Sequence, residues 1–400
     1  MLRPWLTRLP LRRWLRVLLV ASLALAVSLS LGAGLGALPL AVPALPPAQS
    51  APPPSRLAET VLLFAGFLAG CGVVDRLLAR GSGRNQRQGL AAQARRLKQL
   101  SIGVPEGMVH LEVLRDRHLL EQRLAPLGVA LQWRSFAAAS SMLEALSNGE
   151  IDFCGGGGTA SLFSQAADHL FMRVARDKYT NPNQDAILVP NLSAIQGVAE
   201  LRGRTIAVDQ GSSAHFVLIE ALRQAQLGLD DVEIVYLPQP DALPRFRRGE
   251  LDAWAIWMPY AVTETRKAYP GRPIATVRSV FGGDATEQLP TLYYAVPELV
   301  RDYPAVLKLL LEEVNEAGAL AAREELDALE RLTARVSIDP AALDHLRSLA
   351  AQRAVIPLDP DSLHALQHQA NILRDLHLIP RRINLFDGTY SLMTRQNWSY

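Results

Sequence analysis

Thr205-Ile206-Ala207-Val208-Asp209-Gln210-Gly211-Ser212-Ser213-Ala214-His215 carries the decisive reading. Thr205 to Val208 predicts a short strand, and Ala214 to Leu227 a helix. Between them Gln210-Gly211-Ser212-Ser213 forms a turn that leaves a strand and opens a helix. Glycine permits close backbone approach there, and Ser212 or Ser213 suits the helix N-cap. A helix start of this kind presents free N–H groups and favours an anion. An ordinary N-cap has the same sequence, so the turn taken alone does not assign a ligand.

The same unit recurs upstream. Leu100 to Val104 reads as a strand, and Glu112 to Leu124 has helical spacing with Leu114, Leu119 and Leu120 on one side. Val129 to Trp133 alternates as a strand, and Ser140 to Ser147 is helical until Asn148-Gly149 stops it. Ile151 to Cys154 is a strand running into Gly155 to Gly158, after which Thr159 opens a helix to Ala167. Further strands are predicted at Phe171–Ala175, Ala186–Val189, Val232–Leu237, Leu251–Trp257, Ile274–Val277 and Leu292–Val296, with a helix at Ala242–Arg248. After Pro304 the chain reads as nearly all helix to about Leu376. Strands alternating with helices imply an α/β protein with parallel sheets and helices on both faces. Two similar halves imply two lobes. Ligands in such sheets sit beyond the carboxyl ends of the strands, so the loops after Val104, Cys154, Val208 and Trp257 are the ones to inspect.

Composition narrows the function. The chain has 400 residues, 49% hydrophobic and 20% charged, with a net charge of +2. A near-neutral chain with scattered arginines lacks the basic, aromatic-interleaved face of a nucleic-acid binder. Its two cysteines, Cys71 and Cys154, provide no repeated Cys-x-x-Cys for structural zinc. Residues 1–97 read as targeting and tether. Arg3, Arg8, Arg12, Arg13 and Arg16 flank an apolar run from Val17 to about Val42, long enough to span a bilayer. A Pro-rich stretch, Pro43 to Pro54, should be extended. A second apolar run from Val61 ends in Leu68-Ala69-Gly70-Cys71, which resembles a bacterial lipobox with Cys71 as the acylated residue. A plain membrane anchor, a cleaved signal or a packed helix with a chance cysteine satisfies the same run. Asp75 to about Leu97 is polar and reads as a tether.

Catalytic sets are missing from the sequence: it has no His-Glu-x-x-His, no Gly-x-Ser-x-Gly and no evident acid pair. The four glycines 155–158 with Thr159 repeat the strand-to-helix turn, but no Gly-Lys-Ser/Thr follows, so this is not a Walker loop. No cofactor is expected, and no metal. Trp254 and Trp257 lie three apart near a strand end, which places them on opposite faces unless the strand ends between them, and either core packing or a cleft wall satisfies each. Cys154 ends an apolar strand and reads as a small buried residue rather than a nucleophile.

The resemblance is carried by Leu124-Ala125-Pro126-Leu127-Gly128-Val129, Leu143-Glu144-Ala145-Leu146, Gly149-Glu150-Ile151-Asp152-Phe153 and Phe163-Ser164-Gln165-Ala166-Ala167. It continues in Leu201 to Val208, Gly211 to His215, Asp252 to Pro259 and Leu378-Ile379-Pro380. In this order they resemble the bacterial solute-binding proteins for aliphatic sulfonates, related to the nitrate- and taurine-binding proteins, over about residues 98–390. The resemblance implies a type II periplasmic-binding-protein clamshell. Each lobe would hold a mostly parallel sheet flanked by helices, with a helical C-terminal region. Lobe 1 would comprise 98–187 plus 294–400 and lobe 2 residues 188–293. It also implies that Ser212, Ser213 and Trp254 face the cleft with Gly158 and Thr159 opposite, in a ligand site drawn from Glu106, Gly157, Gln210, Gly211, His215, Trp257 and Tyr293 as well. Glu106 in the first loop, and Gly158 and Met258 where many relatives carry Asp, depart from the usual pattern. Glu106 either reads an ammonium, as in taurine, or points to solvent. A sulfonate needs only neutral donors: helix N–H groups, serine hydroxyls and an indole N–H. The implied role is the extracytoplasmic, membrane-anchored, non-enzymatic subunit of an ABC importer, with a small organic anion as ligand and a permease and an ATPase as partners. The alternatives are a same-fold enzyme acting on a sulfonate, sulfinate or pyrimidine, or a binding protein for nitrate or another small anion.

Overall fold

The computed structural model describes residues 88–105, 108–178, 185–258, 260–261, 271–282, 288–323 and 354–389. The expected lipidation site Cys71, the first-loop Glu106 and the expected apolar segment 17–42 lie outside them. Among the described residues no helix is long and apolar enough to cross a membrane.

Two sheets organise the fold. The first holds β1 (Gln99–Pro105), β2 (Ala130–Phe136), β3 (Phe153–Gly157), β4 (Met172–Asp177), β10 (Thr291–Ala295) and β11 (Val355–Ile356), in the order β11-β4-β10-β3-β1-β2. The second holds β5 (Asp185–Pro190), β6 (Thr205–Val208), β7 (Glu233–Tyr236), β8 (Ala253–Trp257) and β9 (Gly271–Thr276), in the order β7-β6-β8-β5-β9. β5 therefore belongs wholly to the second sheet and β10 to the first. The expected lobe boundaries after 187 and 293 cut through these two strands.

Both sheets are mixed rather than mostly parallel. β1 pairs in parallel with β2 and β3, and β6 with β7 and β8, as the helical crossovers require. β5 runs antiparallel to β8 and β9, and β10 antiparallel to β3 and β4. The cause is the path of the chain. It leaves the first sheet at the carboxyl end of β4 and enters the second sheet at that sheet's carboxyl edge, so β5 must run backwards. The return into β10 repeats the reversal.

The helices depart from the sequence reading in several places. Residues 88–97, expected to be part of a polar tether, are a helix that buries Ala94 in the core. Two short helices at Val277–Phe281 and Pro297–Asp302 were not expected, and the strand Val355–Ile356 interrupts the stretch read as helix after Pro304. α1 (residues 88–97) precedes β1, and the single helix expected over 112–124 is instead α2 (Val109–Asp116) and α3 (Leu119–Leu124). His118 separates them at φ +52, a left-handed conformation that ends a helix. α4 (Ala139–Ser147) and α5 (Gly158–Ala166) flank the first sheet. α6 (Ser213–Gln224) and α7 (Gln239–Arg247) flank the second. α8 (Val277–Phe281), α9 (Pro297–Asp302), α10 (Pro304–Ala321) and α11 (Pro360–Asp375) complete the described helices. Residues Ala214 to Leu222 of α6 are all buried, as in a helix enclosed on every side.

Strand alternation sorts the core. In β8, Ala253 and Ala255 pack with Val217 and Leu218 of α6, whereas Trp254 and Ile256 pack with Ala242 and Phe246 of α7. Trp254 is fully buried 5.5 Å from Phe246 and 6.3 Å from Tyr260, ring centre to ring centre. Full burial of side chains this large is worth about 2–3 kcal/mol each.

Candidate functional site

The turn after β6 is held by its own side chains. Ser212 caps α6: its hydroxyl oxygen accepts the His215 N–H at 3.1 Å and donates to the Asp209 carbonyl at 2.7 Å. Gly211 sits at φ +79, where a side chain is strained. Its N–H donates to His215 Nδ1 at 3.2 Å, which leaves the imidazole proton on Nε2. Burial pushes His215 down to about 4, so the ring is neutral at physiological pH. The Ser213 hydroxyl donates to Asp185 Oδ1 at 3.0 Å, and Asp185 is fully buried at the start of β5. Both serine protons are thus engaged, contrary to the expected free hydroxyl donors. The backbone N–H groups of Ser213 and Ala214 have no acceptor among the described residues, as the first turn of a helix dictates.

The turn after β3 is built by close packing. A Cβ on Gly155 would stand 3.1 Å from the Tyr293 ring and 3.2 Å from Met108 Sδ. Glycine there lets Tyr293 lie across β3, stacked on Phe153 at 6.0 Å. The Tyr293 hydroxyl donates to Asp177 Oδ1 at 2.8 Å and lies 2.9 Å from His110 Nε2. Gly158 opens α5, and its N–H donates to the Pro290 carbonyl at 2.9 Å. The Thr159 hydroxyl donates to Gln369 Oε1 at 2.9 Å, and Gln369 Nε2 donates to the Gln288 carbonyl. That leaves the N–H groups of Thr159 and Ala160 without an acceptor among the described residues. The first turns of α5 and α6 therefore each keep two backbone N–H groups with no acceptor among the described residues.

The two helices meet across one cavity of about 520 Å³. Ala160 and Phe163 of α5 form one wall, Asp209, Gln210 and Gly211 another, and Tyr236 to Pro238 with Leu378 to Pro380 the apolar remainder. Phe163 lies against Gly211, where a Cβ would stand 3.2 Å from the ring, and 6.2 Å from the His215 ring centre. Asp209 is the one carboxylate on this wall, and burial pushes it up to about 6.

The sign of this shift is testable. An acid raised from 3.8 to about 6 disfavours the folded state once it ionises. Its contribution is intact below pH 4 and is lost as pH rises through 6. Asp209→Asn is therefore expected to stabilise the protein at pH 7.5 by up to about 3 kcal/mol. The gain should shrink to nothing near pH 4, read from urea unfolding at both pH values.

The site residues expected from the sequence separate into groups. Gln210 and Gly211 line the cavity, while Ser212, Ser213 and His215 build the turn behind them. Gly157 is the N-cap of α5, and its carbonyl accepts the Tyr294 hydroxyl at 3.1 Å. Trp257 is half-buried beside Asp185 on the α6 face. Trp254 does not face the cleft. Alternation sends it into the α7 core, where its indole N–H has no partner among the described residues. The side chains of Thr159 and Tyr293 are likewise turned inwards, to Gln369 and Asp177. The sequence reading missed Asp209, Phe163, Tyr236 and Ser140 as lining residues. Asp209 adjoins the chosen turn, and Phe163 and Leu378-Ile379-Pro380 stood in the segments that carried the resemblance.

Comparison with known proteins gives a consistent set. A model of the NMT1-like family matches residues 120–334. The chain is 28% identical over 288 residues, 72% of its own length and 86% of the other's, to a protein named as an aliphatic sulfonates-binding protein in Escherichia coli K12. It is 32% identical over 201 residues, half of the chain and 56% of the relative, to one of the same name in Bacillus subtilis 168. The alkanesulfonate-binding protein SsuA from Xanthomonas axonopodis pv. citri, solved bound to MOPS, superposes with a TM-score of 0.65 at 28% identity, covering 73% of this chain and 98% of that one.

Proposed function

From the premise that the chain belongs to the NMT1-like family, we propose that it is the extracytoplasmic capture subunit of an ABC importer, holding an aliphatic sulfonate between its two lobes. The observation that carries this reading is one cavity bounded by Ala160 and Phe163 of α5 on one side and, on the other, by Asp209, Gln210 and Gly211 of the turn that leads into α6. On this reading the N–H groups left without an acceptor at the two helix starts, those of Thr159, Ala160, Ser213 and Ala214, supply donors to an acceptor-rich, permanently ionised headgroup; of these four residues Ala160 lines the cavity. No lysine is needed. The apolar wall of Phe163, Tyr236, Leu237 and Leu378 suits an alkyl or aryl tail. Bringing the lobes together on the ligand selects the state that a permease reads. On this reading the N-terminal segment or an acylated Cys71 tethers the capture domain to the membrane.

Capture rather than catalysis is supported by Cys154, the one cysteine among the described residues. It is fully buried, and burial raises its thiol far above the usual range, so no thiolate is available.

The test is thermal melting of the full chain. An alkanesulfonate at a hundredfold excess over Kd is expected to add about 2.7 kcal/mol and raise Tm by several degrees. A shift with nitrate and none with sulfonates sinks the sulfonate reading. The pH profile separates ligand types, because ionised Asp209 repels a plain sulfonate and attracts an ammonium. A plain alkanesulfonate should bind more tightly below pH 6, and taurine more tightly above it.

A further inference from the structure

A second cavity, of about 390 Å³, lies beyond the C-terminal turn of α5. Ala167 faces the inter-lobe cavity and Asp168 faces this one, so that turn divides them. Arg173 of β4 forms part of its wall and is only 1% exposed. Its Nε and Nη2 donate to the Ser161 hydroxyl at 3.3 and 3.0 Å, and Nη2 also reaches Gln165 Oε1 at 2.9 Å and the Ser161 carbonyl at 3.3 Å. Every one of these acceptors is neutral. No carboxylate pairs with Arg173 among the described residues, and its Nη1 has no acceptor there. The Phe171 ring covers the guanidinium at 5.3 Å and shields it from water. Burial lowers Arg173 only to about 10, so it stays charged at neutral pH.

A buried charge without a counter-charge is costly unless something supplies one. The neighbouring groups do not. Arg381 takes Asp168 for itself and caps α5 through the Gln165 and Ala166 carbonyls. Arg382, exposed on the same wall, has no ion pair among the described residues. His169 Nδ1 is buried and unpartnered beside them. Asp387 is the opposing carboxylate, which leaves Arg173 and Arg382 with one positive charge in excess.

We infer that this cavity is a second anion site, taking a small inorganic oxyanion of the sulfate or phosphate class between Arg173 and Arg382. A tetrahedral oxyanion offers the paired acceptors that a guanidinium edge fits. The test is a calorimetric titration of the full chain with sodium sulfate, and separately with phosphate, with sodium chloride holding the ionic strength. Saturable binding of at least one anion is expected, weakened tenfold or more by Arg382→Ala and abolished by Arg173→Gln. The Arg382→Ala variant should keep wild-type affinity for an alkanesulfonate, since Arg382 lines the second cavity and not the cleft cavity. Should Arg173→Gln fail to fold, Arg382→Ala alone decides. Absence of saturable binding by either anion, or binding that Arg382→Ala leaves unchanged, overturns the inference whatever happens at the cleft.

Discussion

Gly211→Val is expected to weaken sulfonate binding a hundredfold or more while leaving the second sheet folded. Three effects act together at this residue. Gly211 holds φ +79, where a β-branched side chain is strained, and relief of that strain moves the turn. A Cβ there would stand 3.2 Å from Phe163 Cδ2 and 3.3 Å from Cγ, so added methyls wedge α5 away from α6. The Gly211 N–H bond to His215 Nδ1 then loosens, and with it the Ser212 cap that aims the Ser213 and Ala214 N–H groups. Each hydrogen bond to a charged partner is worth about 1.5–3 kcal/mol. Losing two therefore costs roughly 3 kcal/mol or more, which is two decades of affinity. Calorimetric Kd values for wild type, Gly211→Ala and Gly211→Val should rise in that order, with far-UV circular dichroism unchanged. Wild-type affinity in Gly211→Val would show that closure of α5 on this turn is irrelevant to binding.

Gly158→Ala is expected to destabilise the protein by about 2–4 kcal/mol. The new Cβ would meet Leu366 Cδ2 at 2.8 Å and the Pro290 carbonyl oxygen at 3.0 Å. That carbonyl also accepts the Gly158 N–H at 2.9 Å, so α5 cannot retreat without breaking the bond that fixes its first turn. Gly157 is the control, because nothing lies within 4 Å of its Cβ position, and Gly157→Ala should change stability by less than about 0.5 kcal/mol. Trimming the leucine in a Gly158→Ala/Leu366→Ala double variant should recover part of the steric cost but not the backbone part. Urea unfolding of wild type, Gly158→Ala, Gly157→Ala, Leu366→Ala and the double variant measures this. Additive losses would mean that the alanine methyl never meets Leu366.

What could be read from the sequence was local. Thr205 to Val208 and the Gly211-Ser212-Ser213 turn announce strand, break and cap within eleven residues, and all three are present. The opposite faces of Trp254 and Trp257 follow from strand period alone. Features that depend on distant partners were not legible. The engagement of Ser213 with Asp185 spans 28 residues, and that of Thr159 with Gln369 spans 210. Neither spacing has a local signature. The reversed direction of β5 and β10 is a consequence of where the chain crosses between sheets, which strand propensity does not encode. The break at His118 escaped because Glu112 to Leu124 contains no glycine or proline to mark it. Backbone N–H groups are left without an acceptor at both helix starts, while the serine and threonine hydroxyls are engaged and the Trp254 indole is buried inside the protein.

The most direct test is a crystal structure of the chain grown with an alkanesulfonate. The expected result places sulfonate oxygens within about 3 Å of the backbone nitrogens of Ser213 or Ala214 on one lobe and of Thr159 or Ala160 on the other. A sulfonate held away from both helix starts, or one bound only against Arg173 and Arg382, would contradict a grip shared by α5 and α6.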